Sequence, residues 1–302
     1  MTSGPSRSWL PTYIVLGVTW GCSFLFIKYA LGFLTPFGVA FARCALGAAT
    51  LIVISVSRRI ALPRELIVWC HLWVVAMCLN IVPGVLFAVA ETRTTSIVAG
   101  IINALTPLTT LFFILVVFRD EQVKRFQLVG LIVGLVGVML VLGVWNGLGS
   151  NPWWAVAALL CAVSLYGVSF PYTRRYLLPR GLPKEALACA QLILAALTLL
   201  PAYAVDGMNH HAITIHAVFG ILALGIFGSG FAFMWNFRVQ AAAGSSIAST
   251  VTYMSPVVAV IVGVIFLHEP LGWYEPVGGL VVLLGAAIGQ GRLERYRHTL
   301  RI

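Results

Sequence analysis

The sequence predicts an all-α polytopic membrane protein: ten transmembrane helices arranged as two inverted five-helix repeats, with both termini cytoplasmic. Three observations carry this expectation. Of the 302 residues, 60% are hydrophobic and 9% charged, with a mean hydropathy of +0.99, whereas a soluble domain is typically about 25% charged. Apolar stretches of roughly 18 to 23 residues, the span of a bilayer core, recur along the whole length. The phrase TWGCSFLFIKYAL, from Thr19 to Leu31, returns as LYGVSFPYTRRYL, from Leu165 to Leu177.

The spans follow one another with short connections that leave no room for a soluble domain. The first, near 13–31, is full length and lacks a small-x-small exit, so it reads as a membrane helix and not a cleavable signal. The next four are expected near 37–55, 67–90, 96–118 and 126–145. The second group is expected near 153–172, 186–204, 217–237, 245–267 and 273–290. A net charge of +10 would suit nucleic acid, but the basic residues lie in the short loops and read as topology signals. With a cytoplasmic N-terminus, the inside segments hold Arg7; Arg58, Arg59 and Arg64; Arg119, Lys124 and Arg125; Arg174, Arg175, Arg180 and Lys184; Arg238; and Arg292, Arg295, Arg297 and Arg301. Of the 19 basic residues only Lys28, Arg93 and Arg43 fall elsewhere. The six cysteines lie in apolar segments without a CxxC, which predicts small buried hydrophobes and neither disulfide nor metal.

The repeat extends well past the opening phrase. Trp20/Tyr166, Gly21/Gly167, Ser23/Ser169 and Phe24/Phe170 share a shift of 146 residues. Pro107/Pro256 follows at 149, and Glu121/Glu269, Gly130/Gly278 and Gly137/Gly285 at 148. Five helices per unit is an odd number, so the second unit must enter the membrane upside down. Loop charges agree with that inversion: the loop after the second helix is basic and its counterpart after the seventh is bare, while the loop after the first is bare and that after the sixth is basic. The units are expected over residues 1–147 and 148–302, the second ending in a short basic tail. Inverted repeats supply two related conformations, one open to each side, with a site between the halves. That architecture points to a transporter.

The segments WGCSFLFIKYAL, ARCALGAATL and NALTPLTTLFFILVVFRDE, answered by YGVSFPYTRRYL, SPVVAVIVGVIFLHEP and GGLVVLLGAAIG, resemble the EamA-type domain. Tandem copies mark the drug/metabolite transporter superfamily, and the layout resembles bacterial aromatic amino-acid exporters of the YddG type. The resemblance implies a central cavity lined by the first, third, fourth, sixth, eighth and ninth helices, with the fifth and tenth peripheral.

Candidate pathway residues are the aromatic and polar groups at membrane depth. Trp9, Trp69, Trp73, Trp145, Trp153, Trp154 and Trp273 sit near helix ends as belt anchors, but Trp20 and Tyr166 lie deep. Stacked on a solute, these two with Phe24 would form an aromatic site in which Ser23 and Ser169 supply hydrogen bonds; the competing reading is helix packing, with Gly21 and Gly167 allowing close approach. Asn80, Asn103, Ser249, Thr252 and Tyr253 offer uncharged donors and acceptors for an ammonium and a carboxylate, against the alternative of interhelical hydrogen bonds. Asn236 and Trp235 read as a rim or belt, and GIFGSGF, from Gly225 to Phe231, as an interruption of the eighth helix. Pro83, Pro107, Pro171 and Pro256 predict kinks, and the paired Pro107 and Pro256 matched bends, passive or hinged. Arg43 is expected to cap carbonyls at a nearby helix end in preference to meeting a substrate carboxylate. Glu121 and Glu269 are expected at the N-termini of the fifth and tenth helices, and His210 and His211 in a solvated outer loop.

These features predict a bacterial inner-membrane exporter of amino acids, aromatic and other neutral ones included, acting as a monomer or weak homodimer without cofactor or nucleic acid. An exporter of aromatic drugs or of nucleotide-type solutes is the alternative; a cationic drug calls for a cavity carboxylate. An intramembrane transferase would need a catalytic base at depth, where His71 stands near a helix start with no acidic partner in sequence.

Overall fold

A computed structural model describes residues 9–118, 125–141, 151–208 and 213–289. Expectations on Glu121, Trp145, Asn146, His210, His211, Arg7, Arg119, Lys124 and the basic residues from Arg292 onward lie outside the described residues. Among the described residues all regular structure is helical, apart from one isolated antiparallel bridge between Leu34 and Met208.

Among the described residues, each of the ten segments read from the sequence contains a helix. They are α1 (Leu10–Ala30), α2 (Pro36–Ser57), α3 (Leu66–Glu91), α4 (Ser96–Phe118), α5 (Arg125–Val141), α6 (Trp153–Tyr176), α7 (Lys184–Asp206), α8 (Ile215–Ala243), α9 (Ser245–Ser249, Thr250–Met254 and Ser255–Leu267 in succession) and α10 (Tyr274–Gly289). Eight are long and apolar enough to cross a membrane; α5 and α10 are the shorter ones. Large apolar side chains such as Val53, Val56, Leu197, Phe266 and Leu280 are exposed on the outer surface, as suits a chain whose solvent there is lipid.

Four helices are broken where the sequence carries proline or paired glycine. α3 widens into a π turn at Met77–Ile81 just before Pro83, and α8 does so at Ile226–Phe231, through the predicted GIFGSGF interruption. In α4 the helix stops at Asn103 and restarts at Thr106 with Pro107 in its first turn. In α9 a 3-10 stretch, Thr250–Met254, gives way to an α-helix at Ser255 with Pro256 in its first turn. Proline is tolerated there because the first-turn N–H has no intrahelical partner to lose. Matched breaks thus stand at matched positions.

Repeat mates pack against each other head to tail. Thr35, before α2, donates its N–H to the carbonyl of Gly207, after α7. A Cβ at Gly278, early in α10, would lie 2.6 Å from the backbone nitrogen of Val141, late in α5. One at Gly285 would lie 2.4 Å from the backbone nitrogen of Gly134, earlier in α5. Only hydrogen fits at these crossings, so the Gly130/Gly278 and Gly137/Gly285 echo marks a backbone-to-backbone seam of the small-residue kind. α4 and α9 likewise run antiparallel: Glu269, past the end of α9, reaches Ser96 at the start of α4, and Asn103 reaches Ser255 in their middles.

Candidate functional site

The broken centres of α4 and α9 face each other, and a cavity lies beside them. Its wall comes from α1 (Trp20, Ser23, Phe24, Ile27), α2 (Arg43), α3 (Leu79, Phe87), α4 (Asn103), α6 (Tyr166, Phe170), α8 (Phe233) and α9 (Thr252). Positions 20, 23, 24 and 27 fall on one face of α1 at helical spacing. Tyr166 and Phe170 stand one turn apart on α6, so both members of the Trp20/Tyr166 and Phe24/Phe170 echo reach the same space. Its volume is about 50 Å³. That is below the roughly 150 Å³ that holds benzene in an engineered protein cavity. Loading an aromatic solute therefore requires side chains or helices to part.

The aromatics brace one another. Trp20 meets Phe233 edge-on at 5.9 Å, Phe87 stacks with Tyr166 at 5.8 Å, and Phe24 tilts against Phe87 at 5.7 Å. The glycines and the aromatics of the repeated phrase lie in different surroundings. A Cβ on Gly21 would fall 2.5 Å from Val258 of α9, and one on Gly167 would fall 2.5 Å from Thr109 of α4, so the glycines serve packing. Their aromatic neighbours line the cavity.

Six of the ten predicted site residues, Trp20, Ser23, Phe24, Asn103, Tyr166 and Thr252, line this wall. Asn103 donates from Nδ2 to Ser255 Oγ at 3.1 Å, while its buried Oδ1 has no hydrogen-bond partner among the described residues. The other four lie off the wall. Asn80 accepts from Gln191 Nε2, an interhelical bond that ties α3 to α7. Ser169 is buried and donates to the Tyr166 carbonyl at 2.8 Å; Ser23, although on the wall, likewise donates back to the Thr19 carbonyl at 3.1 Å. Both hydroxyl protons are thus spent on their own helices. Ser249 is buried, its carbonyl taking the Thr252 hydroxyl, and Tyr253 packs into the apolar cluster around Phe24 and Phe87.

Several expectations need correction. Arg43 does not cap helix carbonyls: its Nε donates to Ser229 Oγ at 3.1 Å, in the π turn of α8, and the side chain lines the cavity. Carbonyl capping falls to Lys28, whose Nζ donates to the carbonyl of Glu91, the last residue of α3, and to that of Thr94 just past it, at 2.6 Å each. Glu269 caps α4, accepting from the N–H and hydroxyl of Ser96 at 2.8 Å and from the Ile97 N–H at 3.2 Å. Glu275 is the carboxylate at the start of α10, accepting from the Gly272 N–H at 2.6 Å. Asn236 is fully buried, not at a rim; it is preceded by Trp235, which stacks on Phe231 at 5.6 Å. His71 has tyrosines for partners, bonding Tyr172 through Nδ1 at 2.8 Å and stacking on Tyr176 at 5.0 Å. Glu91 is 1% exposed, and neither carboxyl oxygen has a hydrogen-bond partner among the described residues. In sequence it reads as an ordinary helix-end acid.

Comparison with known proteins agrees with this architecture. The chain is 26% identical to an "Uncharacterized transporter" of Archaeoglobus fulgidus over 283 residues, covering 91% of this chain and 97% of that one. It is 26% identical to the "Uncharacterized inner membrane transporter YedA" of Escherichia coli, with 85% and 83% covered, and 25% identical to "Protein PagO" of Salmonella typhimurium, with 82% and 81% covered. A solved structure titled "Crystal structure of protein" superposes with a TM-score of 0.72 at 18% identity, over 96% of this chain and 99% of that one, and so shares the fold. The EamA-like transporter family matches twice in tandem, over residues 7–143 and 153–288. Two family repeats on a multi-pass helical chain settle the assignment: the protein belongs to the EamA-like transporter family.

Proposed function

We propose that this transporter exports amino acids, aromatic and other neutral ones, across a bacterial inner membrane by alternating access through the central cavity, in the manner of YddG-type exporters. The observation that carries this reading is the cavity itself. Trp20, Phe24, Phe87, Tyr166, Phe170 and Phe233 give it an apolar, aromatic wall, and Asn103 presents an unpartnered buried acceptor. A few placed polar groups in an otherwise apolar concavity are the usual form of a small-molecule site. All ten helices cross the bilayer in this reading, with both termini cytoplasmic and units over 1–147 and 148–302. The antiparallel packing of α2 with α7, α4 with α9 and α5 with α10 supports an inverted repeat. Pro107 and Pro256 act as hinges at the matched breaks, where parting α4 from α9 would enlarge the cavity. Transport runs as facilitated diffusion or exchange, by one chain or a weak homodimer.

Purified protein in liposomes, offered a panel of neutral amino acids, aromatic cations and nucleotide-type solutes, tests this. Carriage of the amino acids alone supports the reading; selective carriage of either other class ends it.

A further inference from the structure

We infer that the cavity is a carboxylate receptor and that Arg43 is its specificity-determining residue. The inference rests on the reading of the cavity as the substrate site. Arg43 lies in the first half of α2, is 9% exposed, and lines the cavity. Its Nε is taken by Ser229, but Nη1 and Nη2 have no hydrogen-bond partner among the described residues. The ion pairs among the described residues are Arg180–Glu65 and Arg238–Glu185, and Arg43 takes part in neither; the buried Glu91 carboxyl acts on it only from beyond ion-pair distance. Burying a guanidinium with no carboxylate in contact is costly, and cations at membrane depth generally face a partner or a water-filled path.

The surroundings aim this charge. Gly47 brings α2 against the π turn of α8; a Cβ there would lie 3.0 Å from the Gly230 nitrogen and from the Ser229 side chain. That approach sets the Ser229 hydroxyl against Nε and leaves the remaining N–H groups of the fork for a ligand. A guanidinium fork matches the two oxygens of a carboxylate. The unpartnered Oδ1 of Asn103, on the same wall, accepts from a donor such as an ammonium. Arg43 and Asn103 thus offer the two halves of an α-amino acid complementary partners, with the aromatic wall left for its side chain. A fixed positive charge also repels a cationic drug, which separates the two transport readings by physics and not by shape.

The test is competition and counterflow in liposomes, with binding followed by thermal stabilisation in detergent, using L-phenylalanine, phenylalaninamide and 3-phenylpropanoate. Phenylalanine and phenylpropanoate are expected to bind, with phenylalaninamide at least about tenfold weaker, since a site built around a polar partner rejects the analogue lacking it. Arg43→Gln should abolish that discrimination, and Arg43→Lys should restore part of it. Equal treatment of phenylalanine and phenylalaninamide, within about threefold, overturns the inference while leaving amino-acid transport standing. Handling of phenylpropanoate but not phenylalanine overturns amino-acid transport while leaving the carboxylate receptor standing. If none of the three binds or moves, both fall. Because the unmodified protein gives these outcomes, a misfolded Arg43→Gln does not blunt the test.

Discussion

The Glu269 carboxylate gives the sharpest energetic prediction, because its partners and their burial are all defined. α4 begins with two N–H groups, of Ser96 and Ile97, that accept no help from their own helix; both residues are fully buried. Glu269 takes both, along with the Ser96 hydroxyl. The Thr95 hydroxyl takes the next N–H, of Val98, at 3.2 Å. Removing Glu269 leaves two buried donors without water to replace it, at about 1–3 kcal/mol each, and withdraws a negative charge from the positive end of the helix. Glu269→Ala should therefore destabilise by about 3 kcal/mol, and Glu269→Gln, which keeps one acceptor, by about half as much. Thr95→Ala should cost about 1 kcal/mol. Chemical unfolding of the purified protein in micelles, followed by circular dichroism, reads all three. Since α4 carries Asn103 into the cavity, transport should fall in the same order. A Glu269→Ala variant within about 0.5 kcal/mol of the parent, or one indistinguishable from Glu269→Gln, would refute the capping argument.

Three further outcomes are expected. Reporter fusions after Ser57 and after Arg180 should report the cytoplasm and one between Asn146 and Asn151 the outside; a cytoplasmic Asn151 would overturn the helix count and the inversion together. Trp20→Ala or Tyr166→Ala should cut transport severely while folded protein persists; loss of the fold itself, on the scale of the about 3–5 kcal/mol that a large buried aromatic contributes in soluble cores, would favour a packing role. Counterflow of a neutral amino acid should need no pH gradient and vary little with imposed potential, since a zwitterion carries no net charge through the field's roughly 2.3 kcal/mol per charge per 100 mV. Strict proton dependence would refute uncoupled transport and make Glu91→Gln, at a buried carboxyl amid Lys28 and Glu269, the next variant to measure.

What the sequence made legible were properties local to one helix or repeated between halves. The repeated phrase singles out Trp20, Ser23, Phe24 and Tyr166, all on the wall, and with them Ser169, which is not. What escaped it were partnerships between distant segments. Ser229 lies 186 residues from Arg43, and Glu269 lies 173 from Ser96. Neither pairing leaves a periodic trace, because one buried polar contact fixes one position, not a stripe. Asn80 and Asn103 read alike in sequence, yet one is tied to Gln191 and the other lines the cavity with its buried Oδ1 unpartnered among the described residues.

The doubled phrase gains its meaning from what its glycines touch. Gly21 meets Val258 and Gly167 meets Thr109, and Val258 and Thr109 stand 149 residues apart, the same shift that relates Pro256 to Pro107. Each half therefore presses the start of its phrase against the broken helix of the other half, at equivalent points. Two such seams flank one cavity. In the alternating-access proposal, one seam loosens while the other holds, so that the cavity opens on one side only. Substituting one glycine should bias the balance between the two open forms and substituting the other should bias it the opposite way, which a packing role without alternating access would not produce.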